Sequence, residues 1–196
     1  MGLWDAIRGR QRVAGNDLDS LFLVPSAAIT LQTAVGLQAT GSGSVCFRAA
    51  TGAAFQQMQS EVVDLLNADP EAPDVVVSTD DFGFTWLTVQ KSADDVSGLC
   101  AGLHAVNTAL QEQGFGSGLL CSLVSFAENG PDTGTGERRL GLVYLYKQGT
   151  FYPFAPIAEQ RRDNLLEIQV RDALAGELPM ENDLQRWLAL WKAPGL

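Results

Sequence analysis

Few side chains in this sequence stand at spacings that chemistry requires. Asp80 and Asp81 are adjacent acids in STDDFGF. Paired carboxylates serve general acid and base catalysis where an enclosed pocket separates their roles, but neighbouring Asp residues at a turn usually accept local backbone hydrogen bonds. His104 and Asn107 fall within one turn of the helical pattern SGLCAGLHAVNTAL. Asn107 lies inside an apolar stripe and so needs a buried partner, and no Ser or Cys nucleophile neighbours His104 in the sequence. The two residues are candidate pocket polar groups, and the alternative is a satisfied core network. The cysteines, Cys46, Cys100 and Cys121, are an odd set of 3 without CxxC spacing, and the chain has 1 histidine. That inventory does not complete a zinc site, so the expectation is no metal, no cofactor and buried reduced thiols. GSGS at 41–44 lacks the lysine and the helix start of a phosphate loop. No catalytic residue is assigned.

Recognition chemistry is better represented. In GLVYLYKQGTFYPFAPIAEQRRDN the aromatics Phe151, Tyr152 and Phe154 interleave with Pro153 and Pro156, and Arg161 and Arg162 follow. Aromatic and arginine side chains are the preferred anchors of protein interfaces. Trp4 near the amino terminus and Trp187 and Trp191 near the carboxyl terminus complete the candidate partner contacts. Prolines without a backbone donor imply that the aromatic run leaves the sheet and folds across it.

These residues must be positioned by a chain of 196 residues that is 46% hydrophobic with a formal net charge of −10. Such a chain buries a core of its own, and the expectation is one domain over 1–196, with a short helical tail over 1–15 and a Trp-containing short helix over 177–196. The acidic balance opposes nucleic acid and anionic lipid as partners. No apolar run is read as reaching the length of a bilayer span, and the amino terminus lacks a signal-peptide core. A cytoplasmic protein without direct membrane insertion is expected. A small amphipathic anchor at Trp4 and Arg8 is the membrane alternative, and the net charge opposes it.

The coarse elements follow from periodicity. Asp17–Leu23 and Ser26–Val35 read as a helix in two parts around Pro25, ended by Gly36. Thr40–Ala49 reads as a strand with Val45 and Phe47 on one face and Cys46 and Arg48 on the other. A helix from Thr51 places Phe55, Met58, Val62, Leu65 and Leu66 on one stripe, and Val75–Ser78 with Phe84–Gln90 make a hairpin. Ser92 and Asp95 form a capping box for a helix whose stripe is Val96, Leu99, Cys100, Leu103, Val106 and Leu110. Leu119–Phe126 is a strand, and Ala127–Arg138 is a polar, mobile connection. The strand Leu142–Lys147 alternates between two faces, and a helix over 158–174 closes at Gly176. Leu184, Trp187, Leu188 and Trp191 are expected on one face of the last short helix.

The resulting order from residue 40 is β-α-β-β-α-β-β-α, an α+β fold with an antiparallel β-sheet and helices packed mainly on one face. A ferredoxin-like core with additions and a secretion-chaperone-like arrangement both fit it.

The segments MGLWDAIRGR, LFLVPSAAITLQ, GSVCFRA, DDFGFTWL, LHAVNTAL, GFGSGLLCSLVSF, YLYKQGTFYPFAP and RRDNLLEIQVRDAL, with a final APGL, resemble the PspAB family of PspA-associated proteins of actinobacteria and some archaea. The resemblance spans nearly the whole chain, and none of its segments is a catalytic motif. It implies a non-enzymatic accessory or adaptor in the phage-shock, or envelope-stress, response. The implied partners are the coiled-coil protein PspA and an HtpX-type membrane metalloprotease, with recruitment to the inner face of the cell membrane through a partner. The family supplies no site residues to carry over. The alternative function is a small-ligand sensor or hydrolase-like enzyme, in which His104, Asn107, Asp81 and Arg162 converge near His104 by folding.

Overall fold

The computed structural model describes residues 18–48, 60–61, 63–64, 67–68, 75–128, 138–158 and 160–196. A 3-10 turn over Leu18–Leu23 runs into helix α1, Val24–Val35. Pro25 stands in the first turn, where its missing N–H costs no hydrogen bond, and Gly36 closes the helix with φ 74°, a left-handed backbone that favours glycine. Together Leu18–Val35 form an 18-residue run of mean hydropathy 1.4. By length and composition alone it could cross a membrane, a correction to the expectation that no run is long enough. Leu21, Val24, Ala27 and Leu31 are buried against the rest of the fold, so one face of the run packs on the core, while Phe22, Leu23 and Ile29 are exposed.

Strands β1 (Leu37–Arg48), β2 (Val75–Thr79), β3 (Phe84–Gln90), β4 (Leu119–Glu128), β5 (Arg139–Leu145) and β6 (Thr150–Phe154) build one antiparallel sheet in the order β2-β3-β1-β4-β5-β6. Helix α2, Val96–Glu112, and helix α3, Asn164–Leu174, join α1 mainly on one face of it. β3 lies between β2 and β1, and β1 between β3 and β4, with β5 and β6 extending the sheet beyond β4. The helix expected from Thr51 falls largely outside the described residues, although residues 60, 61, 63 and 64 are helical. Residues 129–137 also lie outside them. On either side, Arg138 holds Glu128 through bonds of 2.7 and 3.0 Å.

Three local expectations change. The aromatic run does not leave the sheet: Thr150–Phe154 is its last strand, with Pro153 opposite Leu142. An edge strand tolerates proline because one side of its ladder needs no donor. That outer side is itself covered, since the Phe151 N–H donates to the Pro179 carbonyl at 2.8 Å and the Glu181 N–H to the Phe151 carbonyl at 2.7 Å. Second, Arg161 and Arg162 precede the helix: they form strand β8, paired with β7 (Pro156–Ile157), and the Asp163 carboxylate accepts the Leu166 N–H at 3.0 Å to cap α3. Third, the cap of α2 is Asp95, which accepts from the Gly98 N–H at 2.9 Å, while Ser92 bonds to Asp94.

Alternation along the strands buries both faces. On the helix side Val45, Phe47, Leu142 and Tyr144 join Leu31, Leu103 and Val170 in the main core. Gly43 makes this approach possible, because a Cβ there would stand 2.9 Å from Leu103 Cδ1. On the opposite side Cys46, Trp86, Cys121, Val143, Tyr152 and Phe154 form a second core, closed by Trp187 and Ala193. The segment after α3 therefore crosses the sheet as a cover. Only Leu184–Arg186 of it is helical, a single 3-10 turn, so Leu184 and Leu188 stay exposed while Trp187 turns inward.

Candidate binding site

The open end of this second face carries a cavity of about 580 Å³. The strand register assembles its floor: Cys46 lies opposite Trp86 on one side and Cys121 on the other, and Cys121 lies opposite Leu145. Tyr152 of β6 extends the same surface, and Leu188, Leu190 and Trp191 of the terminal segment overhang it. Cys46, Trp86, Cys121, Leu145 and Tyr152 are all buried, whereas Arg48, Lys147 and Arg186 on the same lining are exposed. The site is therefore apolar at depth and cationic at its mouth.

Its polar groups at depth are already paired. Trp86 Nε1 donates to Asp80 Oδ2 at 3.0 Å, and Tyr152 Oη donates to the Leu188 carbonyl at 3.0 Å. The other Asp80 oxygen accepts the backbone N–H groups of Phe82 and Phe84, each at 2.9 Å. Partial burial works to raise the Asp80 pKa, but the Trp86, Phe84 and Phe82 hydrogen bonds outweigh it and leave the group below its ordinary value. Burial pushes the Tyr152 phenol well up. The Cys46 thiol is raised by its hydrogen bond with Cys121 and by burial, and Cys100, on the helix side, is pushed up to about 12 by burial. These are protonated thiols at neutral pH. Among the described residues no cluster of His, Cys, Asp or Glu is suited to hold a metal ion.

The family described as PspA associated protein B matches residues 1–195. The chain belongs to the PspAB family. Among curated proteins and solved structures none matches significantly.

In this PspAB chain the residues singled out by sequence separate into different environments. Trp4 lies outside the described residues. Phe151 and Phe154 are buried, as is Tyr152, whose ring stacks on Trp187 with centroids 6.0 Å apart. These four hold the fold together and present little surface to a partner. Arg162 is fixed inside: its Nε donates to Glu167 Oε1 at 2.8 Å, its Nη1 to the Trp187 carbonyl at 2.6 Å, and its guanidinium lies 5.2 Å over the Phe154 ring. Arg161 is exposed, and Trp191 is half-buried on the cavity wall, packed edge-on against Phe154 at 5.1 Å. Tyr152 and Trp191 are thus the sequence candidates that the cavity uses.

His104, Asn107, Asp81 and Arg162 do not assemble into a constellation. His104 faces Asp19 at 3.4 Å and the Phe22 ring at 5.1 Å. Asn107 donates to the Ser122 hydroxyl at 2.9 Å and the Leu103 carbonyl at 2.8 Å, which makes it the satisfied core group. Asp81 pairs with Lys192 at 2.7 Å at the surface. Neither His104 nor Asn107 lines the apolar cavity. Sequence reading missed that cavity. Its available signal was the near-continuous apolar character of LLCSLVSF, interrupted by Ser122 and Ser125, and of LGLVYL, which marks a sheet covered on both faces.

Proposed function

We propose that the protein is a non-enzymatic accessory that binds PspA directly, as an adaptor in the envelope-stress response. The family match over residues 1–195 carries this reading. The helix layer offers a surface suited to a coiled-coil partner: Pro25, Ala28 and Ile29 of α1 face Ala39, Ala93 and Val96 across a groove of about 540 Å³. Ile29 is 66% exposed there. A helix laid in such a groove would add to the existing helical layer and cover apolar side chains at helical spacing. In this reading the protein acts in the cytoplasm and reaches the inner face of the membrane through its partner, and an HtpX-type protease is the second partner to test.

The test is a titration by size exclusion with light scattering, using cognate PspA in monomeric and assembled forms. A saturable complex that Ile29→Glu abolishes, while Leu165→Glu on α3 leaves it intact, supports the reading. No association at roughly tens of micromolar sinks direct binding, and a complex indifferent to Ile29→Glu removes the α1–α2 groove as the docking surface.

A further inference from the structure

We infer that the cavity beneath the terminal segment binds a single-chain amphipathic anion, a molecule with one hydrocarbon tail and a carboxylate or phosphate-ester head. The inference stands apart from PspA binding, because the cavity and the α1–α2 groove lie on opposite faces of the sheet.

Three observations converge on this chemistry. The volume of about 580 Å³ lies within the range of small-molecule sites. The floor makes no directional demand, since Trp86 Nε1 and Tyr152 Oη are both hydrogen-bonded within the protein. A ligand there gains by burying apolar surface against Cys121, Leu145 and Leu190, without supplying polar groups of its own.

The mouth has the opposite character. β1 and β5 run in the same direction, each antiparallel to β4 between them, so Arg48 at the end of β1 and Lys147 just beyond β5 emerge at one end of the sheet. Arg186 of the terminal segment also lines the mouth, but it is paired with Glu181 at 3.4 Å and Asp183 at 3.6 Å, so the cationic character of the mouth rests on Arg48 and Lys147. Lys147 is exposed and has no ion pair among the described residues. Asp80, the acid on this lining, is committed to Trp86 and to two backbone N–H groups. On a chain of net charge −10, Arg48 and Lys147 thus place two cations without an ion pair among the described residues at one mouth. Such a mouth selects an anionic head from solution, and the apolar depth selects its tail.

The full-length protein, freed of bound lipid, is titrated with dodecanoate below its micellar concentration and, separately, with dodecyltrimethylammonium, which has the same tail length and a cationic head. Binding is followed by tryptophan emission and calorimetry. Dodecanoate is expected to saturate one site and to bind about tenfold more tightly than the cation, and Arg48→Glu with Lys147→Glu should reverse that order. Leu120→Trp, which fills the cavity from its wall, should abolish binding at an unchanged urea midpoint. A parallel flotation with phosphatidylcholine vesicles carrying single-chain lysophosphatidylglycerol distinguishes the source: co-flotation that requires the lyso-lipid assigns the head to a membrane lipid, and dodecanoate binding without flotation assigns it to a free anion. Non-saturable binding, equal affinity for the two heads, or binding that survives both Leu120→Trp and Leu190→Trp overturns the inference. If it falls while the PspA complex persists, the accessory reading is untouched.

Discussion

Arg162 and Glu167 form the joint that ties the terminal segment to the domain. Glu167 is nearly fully buried, and its Oε1 accepts both Arg162 Nε at 2.8 Å and the Ala155 N–H at 2.9 Å. The same guanidinium donates to the Trp187 carbonyl at 2.6 Å. One ion pair therefore links the start of α3, the end of β6 and the cover of the second core. Its value lies in the cost of breaking it, because removing one partner leaves the other desolvated and unpaired.

Glu167→Ala is accordingly expected to lower stability by about 3 kcal/mol. The midpoint of urea unfolding should fall, and tryptophan emission should shift to the red as the Trp187 region loosens. An unchanged midpoint would show that the pair contributes nothing net.

Tyr152 contributes two separable terms. Tyr152→Phe removes only the bond to the Leu188 carbonyl, for an expected loss of about 1 kcal/mol. Trp187→Ala removes the stacked ring and opens a cavity, for an expected loss of about 3 to 5 kcal/mol. Denaturation curves that rank the two substitutions in the reverse order would contradict the core role of Trp187.

Asp80 gives the protein a dependence on acid pH. Its carboxyl is held below the ordinary value of 3.8, so its ionised form favours the folded state. That contribution is complete above the ordinary value and is lost as pH falls through the lower folded value. Asp80→Asn should flatten the acid limb of the stability profile and change Trp86 emission; an acid limb unaltered by the substitution would show that Asp80 does not carry it.

Cys100, buried on the helix side of the sheet and away from the cavity, should resist alkylation in the native protein at pH 8. Burial holds Cys100 at about 12, and Cys46 is raised by Cys121 and by burial. Labelling of Cys100 with iodoacetamide should track unfolding and rise steeply in urea. Rapid labelling of native Cys46 or Cys121, with Cys100 protected, would show that reagents enter the apolar cavity without unfolding.

Much of the architecture was set by local pattern. The stripe Val96, Leu99, Cys100, Leu103, Val106 and Leu110 can face a sheet only as a helix, and the alternation Val45, Cys46, Phe47, Arg48 assigns those residues to opposite faces of β1. Asn107 within that stripe announced a buried partner without naming it, and Ser122 is that partner. Asp80 followed the turn chemistry expected of adjacent acids.

Tertiary structure decided what local pattern left open. Tryptophans at 187 and 191 required cover, but whether the domain or a partner supplies it depends on contacts distant in sequence, and Tyr152 and Phe154 supply it. Proline in the aromatic run argued against a strand until an edge position removed the need for a donor. Arg162 has the same composition at a docking surface and in a buried pair, and only Glu167 and the Trp187 carbonyl distinguish them. The cavity arises where strand ends meet a segment that returns across the sheet. Periodicity specifies which face a side chain takes, whereas the return path is set by long-range packing, which no window of sequence contains.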